Sequence, residues 1–314
     1  MKKILVTGGC GFIGANFVSY LVKQGWLDIR VLDNESLGTR ENISEFDIEF
    51  ICGDLSDADI LSAALKDVDT VVHLAADTRV VDSIENPLHN FQSNVIGTFN
   101  LLNCMRESGI ERLINASTGG AILGEAQPPV HERMAANPLS PYGASKLAAE
   151  GYCSAFAGAY GITAISLRFS NVYGPHSYHK GSVVAHFLKQ VLQGNELIVY
   201  GDGNQTRDYL FVDDLCSGIL QAIKTGENGV YQLGSGQPTT INELIELIKR
   251  TVGDDNPVQV SYKDFRPGEI RNTWCDINKA RNKLDYNPKT SLKEGLKRTW
   301  EWFLNTCRDD EEQS

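Results

Sequence analysis

Two short strings, far apart in the chain, carry groups that could do chemistry together. One reads Thr7-Gly-Gly-Cys-Gly-Phe-Ile-Gly14, directly after the apolar run Ile4-Leu5-Val6. The other reads Tyr142-Gly-Ala-Ser-Lys146. On a helix, positions i and i+4 share a face, so Tyr142 and Lys146 would point the same way. A free phenol titrates at about 10 and is a poor base at neutral pH. A neighbouring ammonium, or the positive ring of an oxidised nicotinamide, would favour the phenolate. Such a base can take a hydroxyl proton while hydride leaves the same carbon. A hydroxyl from Ser117 or Thr118 can hold the substrate oxygen in line. A bare Tyr-x-x-x-Lys also fits a solvated helix face. Its place after a glycine turn and a strand ending in Ser-Thr is what singles it out.

The elements that must position these groups follow from periodicity. Lys2 to Val6 is short, apolar and β-branched, which predicts a buried first strand. Phe12, Ile13, Phe17, Val18, Leu21 and Val22 recur at helical spacing, which predicts a helix after the turn. Gly8, Gly11 and Gly14 fall between the two. A phosphate there needs bare backbone N–H groups and no Cβ in its path, and a helix N-terminus supplies donors and a favourable dipole. The next strand, Ile29-Arg-Val-Leu32, ends in Asp33. An acid at that point accepts hydrogen bonds from the adenosine ribose hydroxyls and repels a 2′-phosphate, so the pattern favours NAD. Arg40 is the residue that would suit NADP instead. Glu49-Phe-Ile-Cys52 leads to Asp54 and Leu55, placed to flank an adenine, with Asp54 also a candidate helix N-cap. Thr70-Val-Val-His-Leu74 leads to Ala75-Ala76, small enough for backbone to lie against a cofactor. Arg112 to Ala116 is the strand before Ser117-Thr118, and Pro141 to Tyr160 reads as a helix with proline in its first turn.

This alternation predicts an α/β fold, a doubly wound parallel sheet of Rossmann type with a smaller C-terminal substrate-binding lobe. Residues 1–174, joined by about 195–237, would form the NAD-binding domain, and 175–194 and 238–314 the lobe. No internal repeat is present. The acidic tail from Arg308 is expected to fray. A net charge of −11 over 314 residues argues against nucleic acid and an anionic membrane as partners. No apolar run is long enough for a membrane span, and Met1-Lys-Lys precedes a strand rather than a signal peptide. Seven scattered cysteines without C-x-x-C fit reduced thiols in a cytoplasmic protein, with Cys10 in a packing role. His176 and His179 lack a third ligand at a fitting spacing, so no metal is expected. The helical segments Asn90 to Ser108 and Tyr142 to Tyr160 are apolar on more than one face, which suits assembly.

With these strings on the page, the chain resembles the extended short-chain dehydrogenase/reductases, in the NAD-dependent sugar-nucleotide epimerase/dehydratase group. The resemblance covers nearly the whole length. It rests on the glycine turn, His73-Leu-Ala-Ala76, Asn94-Val-Ile-Gly-Thr98, Ser117-Thr118 and Tyr142 to Lys146. Further on it rests on Arg168-Phe-Ser-Asn-Val-Tyr-Gly-Pro175, Arg207-Asp-Tyr-Leu-Phe-Val-Asp-Asp214, Arg266-Pro-Gly-Glu269 and Leu284 to Pro288. Within the group it is most similar to UDP-hexose 4-epimerases, which implies passage through a transient 4-keto sugar. It implies Phe12, Ile13, Asn34, Leu74, Asn94, Tyr142 and Lys146 at the cofactor beside the residues already named. It implies Asn171, Val183, Val184, Val199, Tyr200, Arg207, Arg266, Glu269 and Thr273 at the UDP-sugar, with the arginines on the diphosphate and Val199 and Tyr200 at the uracil. Thr118 is the catalytic hydroxyl in this alignment and Ser117 the alternative, one register away. It also implies a homodimer through a four-helix bundle.

Absences bear on the reaction. A 4,6-dehydratase or a decarboxylase carries an acid just after the active-site threonine, whereas this chain has Gly119-Gly120-Ala121 and no carboxylate before Glu125. The usual Tyr-Gly further on is Leu123-Gly124. Relatives that reject acetamido sugars carry tyrosine where this chain has Thr273, which leaves room for an N-acetyl group. A nucleotide-sugar 4-keto reductase or dehydratase is the alternative enzyme. A non-catalytic dinucleotide sensor would have no use for an intact Tyr142 and Lys146.

Overall fold

The computed structural model describes residues 3–265 and 270–312, with side chains through Thr306 in the last helix. Seven short apolar segments form one sheet: β1 (Ile4–Thr7), β2 (Ile29–Asp33), β3 (Glu49–Cys52), β4 (Thr70–His73), β5 (Arg112–Thr118), β6 (Thr163–Phe169) and β7 (Gly229–Leu233). Their order is β7-β6-β5-β4-β1-β2-β3, and every pairing is parallel. The winding reverses at β1, between β2 and β4. That is the switch point at whose carboxyl end doubly wound sheets bind ligands.

Period-two alternation explains why both faces are covered. Ile4 and Val6, Ile29 and Val31, Val72, and Ile114 and Ala116 enter one core. Leu5, Leu32, Val71 and Leu113 enter the other. The first core is closed by α1 (Phe12–Lys23) through Phe17, Val18 and Leu21. The second is closed by α2 (Ala58–Leu65), α3 (Gly97–Ser108) and α4 (Pro141–Tyr160), through Leu61, Leu65, Leu101, Met105 and Phe156. The remaining long helices are α5 (Val183–Leu192), α6 (Val212–Thr225), α7 (Ile241–Val252) and α8 (Leu292–Glu312). Leu215, Ile219 and Ala222 of α6 join the first core, as do Leu244, Ile245 and Ile248 of α7 and Leu296, Trp300 and Phe303 of α8. Short pairings complete this region. Leu197–Tyr200 runs parallel to Val260–Lys263, and Thr206–Arg207 antiparallel to Thr239–Thr240. Asn171–Tyr173 runs parallel to Tyr209–Phe211.

Several local expectations need correction. The strand before Ser117 does not stop at Ala116 but runs to Thr118, so both hydroxyls sit on the last two residues of β5. The helix expected from Asn90 is broken by a π-turn at Gln92–Ile96 between Pro87–Phe91 and α3. The N-cap of α2 is Asp57, whose carboxylate accepts from Asp59 N and Ile60 N, and not Asp54. The last helix, α8, continues past Arg308 to Glu312. Extending a helix that is already packed costs little.

Candidate active site

The glycine turn is set by two close approaches and one open position. Gly8 has φ +71°, and a Cβ on it would lie 2.6 Å from Ala75 N. A Cβ on Gly14 would fall on the Gly8 carbonyl and the Gly9 backbone. Gly11 is different: its φ is −74°, and a Cβ there would meet only Gly8 O, at 3.4 Å. Packing therefore requires Gly8 and Gly14, whereas Gly11 is left bare at the N-cap of α1, where a diphosphate would need its backbone N–H groups. Phe12 is buried and Ile13 half-buried on the first turn of α1.

Asp33 is buried at the end of β2, with Oδ2 accepting from Cys10 N at 2.9 Å and Oδ1 from Glu35 N at 2.8 Å. Burial raises its pKa, against these two backbone hydrogen bonds. Asn34 Nδ2 donates to Asp54 Oδ2 at 2.6 Å, which ties the ends of β2 and β3 together. Leu55 packs in the second core, beneath Gly97. Leu74, Ala75 and Ala76 are half-buried after β4. The cradle, the held acid and the small residues fit an adenine dinucleotide.

His73 closes this side. Its Nδ1 lies 2.8 Å from Thr7 Oγ1 and its Nε2 3.0 Å from Thr98 Oγ1, and burial, aided by the charge of Lys146, lowers its pKa to about 3. It is a neutral strut between β1, β4 and α3. Asn94, in the π-turn, exchanges hydrogen bonds with the Asp77 backbone at 2.8 Å each way and donates to Ser145 Oγ at 3.0 Å. Within the described contacts it orders the loop after β4 against α4.

Tyr142, Lys146 and Thr118 come together where the sheet ends. Burial, with the charge of Asp77, raises the Tyr142 phenol to about 12, against the neighbouring Thr118 side chain, which favours the phenolate. Lys146 Nζ donates to Ala116 O at 3.1 Å, and burial lowers its pKa to about 8. The two hydroxyls of β5 part ways: Ser117 Oγ is turned to Glu150 Oε1 at 2.6 Å. Of the two, it is Thr118 that neighbours Tyr142. Burial of the phenol is what the spacing of Tyr142 and Lys146 did not disclose.

The residues expected at the substrate divide. Thr273 faces the helical turn after Thr118, since a Cβ on Gly120 would sit 3.8 Å from its Oγ1. Tyr200 lines an open cleft of about 780 Å³ with Gly201, Asp202, Tyr262 and Phe265. Arg207 Nη1 donates to the carbonyls of Thr206 and Arg271. Asn171 and Val183 are half-buried. Val184 and Val199 are 2% and 1% exposed, so their side chains belong to the core and leave only backbone for a ligand. Arg266 and Glu269 lie outside the described residues. His176 bonds Asn42 Oδ1 at 3.2 Å and packs against Trp302. Among the described residues no group of three metal-ligating side chains occurs, and no helix is long and apolar enough to cross a membrane.

Sequence reasoning missed two buried acids. Asp77 carries Arg79 and His89 on its carboxylate and lies close enough to raise Tyr142. Glu150 sits one turn beyond Lys146, and the i, i+4 spacing that picked out Tyr142 and Lys146 reaches it if continued.

Comparison with known proteins agrees with this architecture. Residues 5–299 match the family described as GDP-mannose 4,6 dehydratase. The chain belongs to that family. Within the family, a Methanocaldococcus jannaschii protein provisionally named UDP-glucose 4-epimerase is 40% identical over 97% of this chain and 99% of its own. A Thermotoga maritima UDP-glucose 4-epimerase, solved with UDP-glucose, superposes with a TM-score of 0.91 at 38% identity, covering 97% of this chain and 99% of its own. A Thermus thermophilus UDP-glucose 4-epimerase, solved with NAD, superposes with a TM-score of 0.88 at 34% identity, over 96% and 99%. Other family matches are a UDP-glucuronate 4-epimerase, a UDP-N-acetylglucosamine 4-epimerase and a dTDP-glucose 4,6-dehydratase. Membership thus fixes a nucleotide-sugar enzyme built for NAD and leaves the sugar and the reaction to the site.

Proposed function

We propose that this chain is an NAD-dependent UDP-hexose 4-epimerase, interconverting UDP-glucose and UDP-galactose and, alongside them, UDP-GlcNAc and UDP-GalNAc. The observation that carries the reading is that Thr118 neighbours the buried Tyr142 phenol, with Gly119-Gly120-Ala121 beyond it and no acid on that turn. Bound NAD supplies the hydride acceptor and, when oxidised, a positive ring beside the phenol. Tyr142 takes the proton of the 4-hydroxyl and later returns it, Thr118 holds the same oxygen, and Lys146 stabilises the phenolate. The cradle at Gly8, Gly11 and Gly14, with Asp33, Asn34, Asp54 and Leu55, holds the dinucleotide. Arg207, with Arg266, takes the substrate diphosphate. Inverting carbon 4 needs no further acid, whereas eliminating water does.

The acetamido substrates follow from Thr273, the small residue facing Gly120. Thr273→Tyr should abolish turnover of UDP-GlcNAc while leaving UDP-glucose within about threefold; equal loss for both sugars would sink the assignment. We further propose a cytoplasmic homodimer. Val81, Ile84, Leu88 and Phe91 are 65%, 61%, 63% and 48% exposed ahead of the π-turn, and Phe99 of α3 meets Tyr152 of α4 edge to face at 5.4 Å. Large apolar side chains left exposed in this number are what pairing would cover.

The function is tested by incubating the purified protein with UDP-glucose or UDP-GlcNAc, without reductant, and following the sugar by NMR. Appearance of the 4-epimer without net NADH is the expected result. Unchanged sugars, with added NAD(P)H consumed only when a UDP-4-keto sugar is offered as hydride acceptor, would favour the 4-keto reductase instead.

A further inference from the structure

Behind the reacting groups lies a buried charged network that the chemistry above does not use. Glu150 Oε1 accepts from Ser117 Oγ at 2.6 Å and from Arg168 Nε at 2.8 Å, and its Oε2 accepts from Arg168 Nη2 at 2.7 Å. Ser117, Glu150 and Arg168 are 4%, 6% and 4% exposed. Arg168 Nη1 is buried without a hydrogen-bond partner, so Glu150 is the carboxylate on which this guanidinium depends. Taking two charges out of water is costly, and a well-packed apolar pair would serve stability as well or better. The network joins three elements at one height. Ser117 is on β5 between Ala116, whose carbonyl holds Lys146, and Thr118, which neighbours the Tyr142 phenol. Arg168 is opposite Ser117 on β6. Glu150 completes the α4 face that carries Tyr142 and Lys146.

We infer that Glu150 is the positioning residue of this site: clamped by Arg168 and Ser117, it fixes the end of β5 against α4 and so sets where Thr118 and Lys146 stand relative to Tyr142. A strand end otherwise free to slide or twist is locked by three charge-assisted hydrogen bonds. Misplacement by about 1 Å costs on the order of a hundredfold in rate, so the lock acts on kcat rather than on binding. It also reaches Lys146 through charge. Glu150 and Cys153 on the same helix raise the Lys146 pKa, Lys180 from the loop before α5 lowers it, and His73 faces it as a neutral group. Losing the Glu150 charge therefore lets Lys146 give up its proton at lower pH.

The inference rests on Tyr142, Lys146 and Thr118 being the reacting groups, and the test separates the two. Two variants are compared with the wild-type holoenzyme: Glu150→Gln, which keeps the shape, and the double variant Glu150→Met/Arg168→Met, which removes both charges together. In whichever variant folds, kcat should fall about 10- to 100-fold, with KM for the UDP-sugar and affinity for NAD within about threefold. In Glu150→Gln, which removes the carboxylate charge alone, the alkaline limb of kcat should also move to lower pH. Wild-type kcat and an unmoved limb in a folded variant, beside an inactive Tyr142→Phe, would overturn this inference alone. Failure of both variants to fold would also overturn it, because the network would then serve the fold and not the site. Full turnover by Tyr142→Phe would overturn the reading of the site and this inference with it.

Discussion

Tyr142→Phe should lower kcat by about 10²–10⁴-fold, the range that positioned acid–base groups contribute, and leave the unfolding midpoint and NAD affinity close to wild type. Among the described hydrogen bonds none ties the phenol oxygen to the backbone of a strand or helix. The backbone of Tyr142 is held separately, its N–H donating to Ser83 Oγ at 3.2 Å, so removing one oxygen leaves the helix in place. The pH dependence has a stated sign. Burial and Asp77 hold the phenol at about 12, and Lys146 sits at about 8. As pH rises through about 8, Lys146 loses the charge that favours the phenolate, so turnover should decline on that side. A Tyr142→Phe enzyme within tenfold of wild type, measured by NMR conversion of UDP-glucose, would remove the phenol from the mechanism.

The second large effect separates two glycines of one motif. Gly14→Ala should destabilise the protein by about 3 kcal/mol or more, because its Cβ would fall on the Gly8 carbonyl and the Gly9 backbone, neither of which can rotate away. Gly11→Ala should leave thermal unfolding of the NAD-free protein nearly unchanged, since its φ of −74° suits alanine and a Cβ meets only Gly8 O. Its cost should appear in NAD affinity, by about tenfold or more, or about 1.4 kcal/mol. Calorimetry of the two variants with and without NAD checks both. Equal destabilisation by both substitutions would show that the open position at Gly11 is a packing site like the others.

Where local chemistry sets an element's ends, the sequence was enough. The helix Pro141–Tyr160 was legible to its boundaries because Ser140 caps it through Gly143 N, Pro141 fills its first turn and Gly161, at φ +73°, ends it. The strand Glu49–Cys52 was legible for the same kind of reason. Which way Ser117 and Thr118 each point was not, because it turned on whether the strand continued past Ala116. Once it does, neighbouring side chains point to opposite faces and only one hydroxyl can meet Tyr142. That the Val184 and Val199 side chains are buried was not legible, because apolar residues near a site and apolar residues under it look alike in a sequence. Glu150 escaped notice because a buried charge reads as a surface charge until its partners are located.

The π-turn at Gln92–Ile96 has an evolutionary consequence. One residue more than a regular turn is accommodated there, and such insertions recur at functional sites. Deleting a single residue from this stretch would restore an unbroken α-helical ladder and improve the helix as a helix. It would also rotate everything before the deletion by about 100° relative to α3. Asn90, which donates to Asp77 O at 3.2 Å, would swing off the loop that Asn94 also holds. A lineage that lost this residue would gain a sturdier scaffold and surrender the hold on Asp77 beside Tyr142, so the irregularity is open to removal by drift only where that placement has ceased to matter.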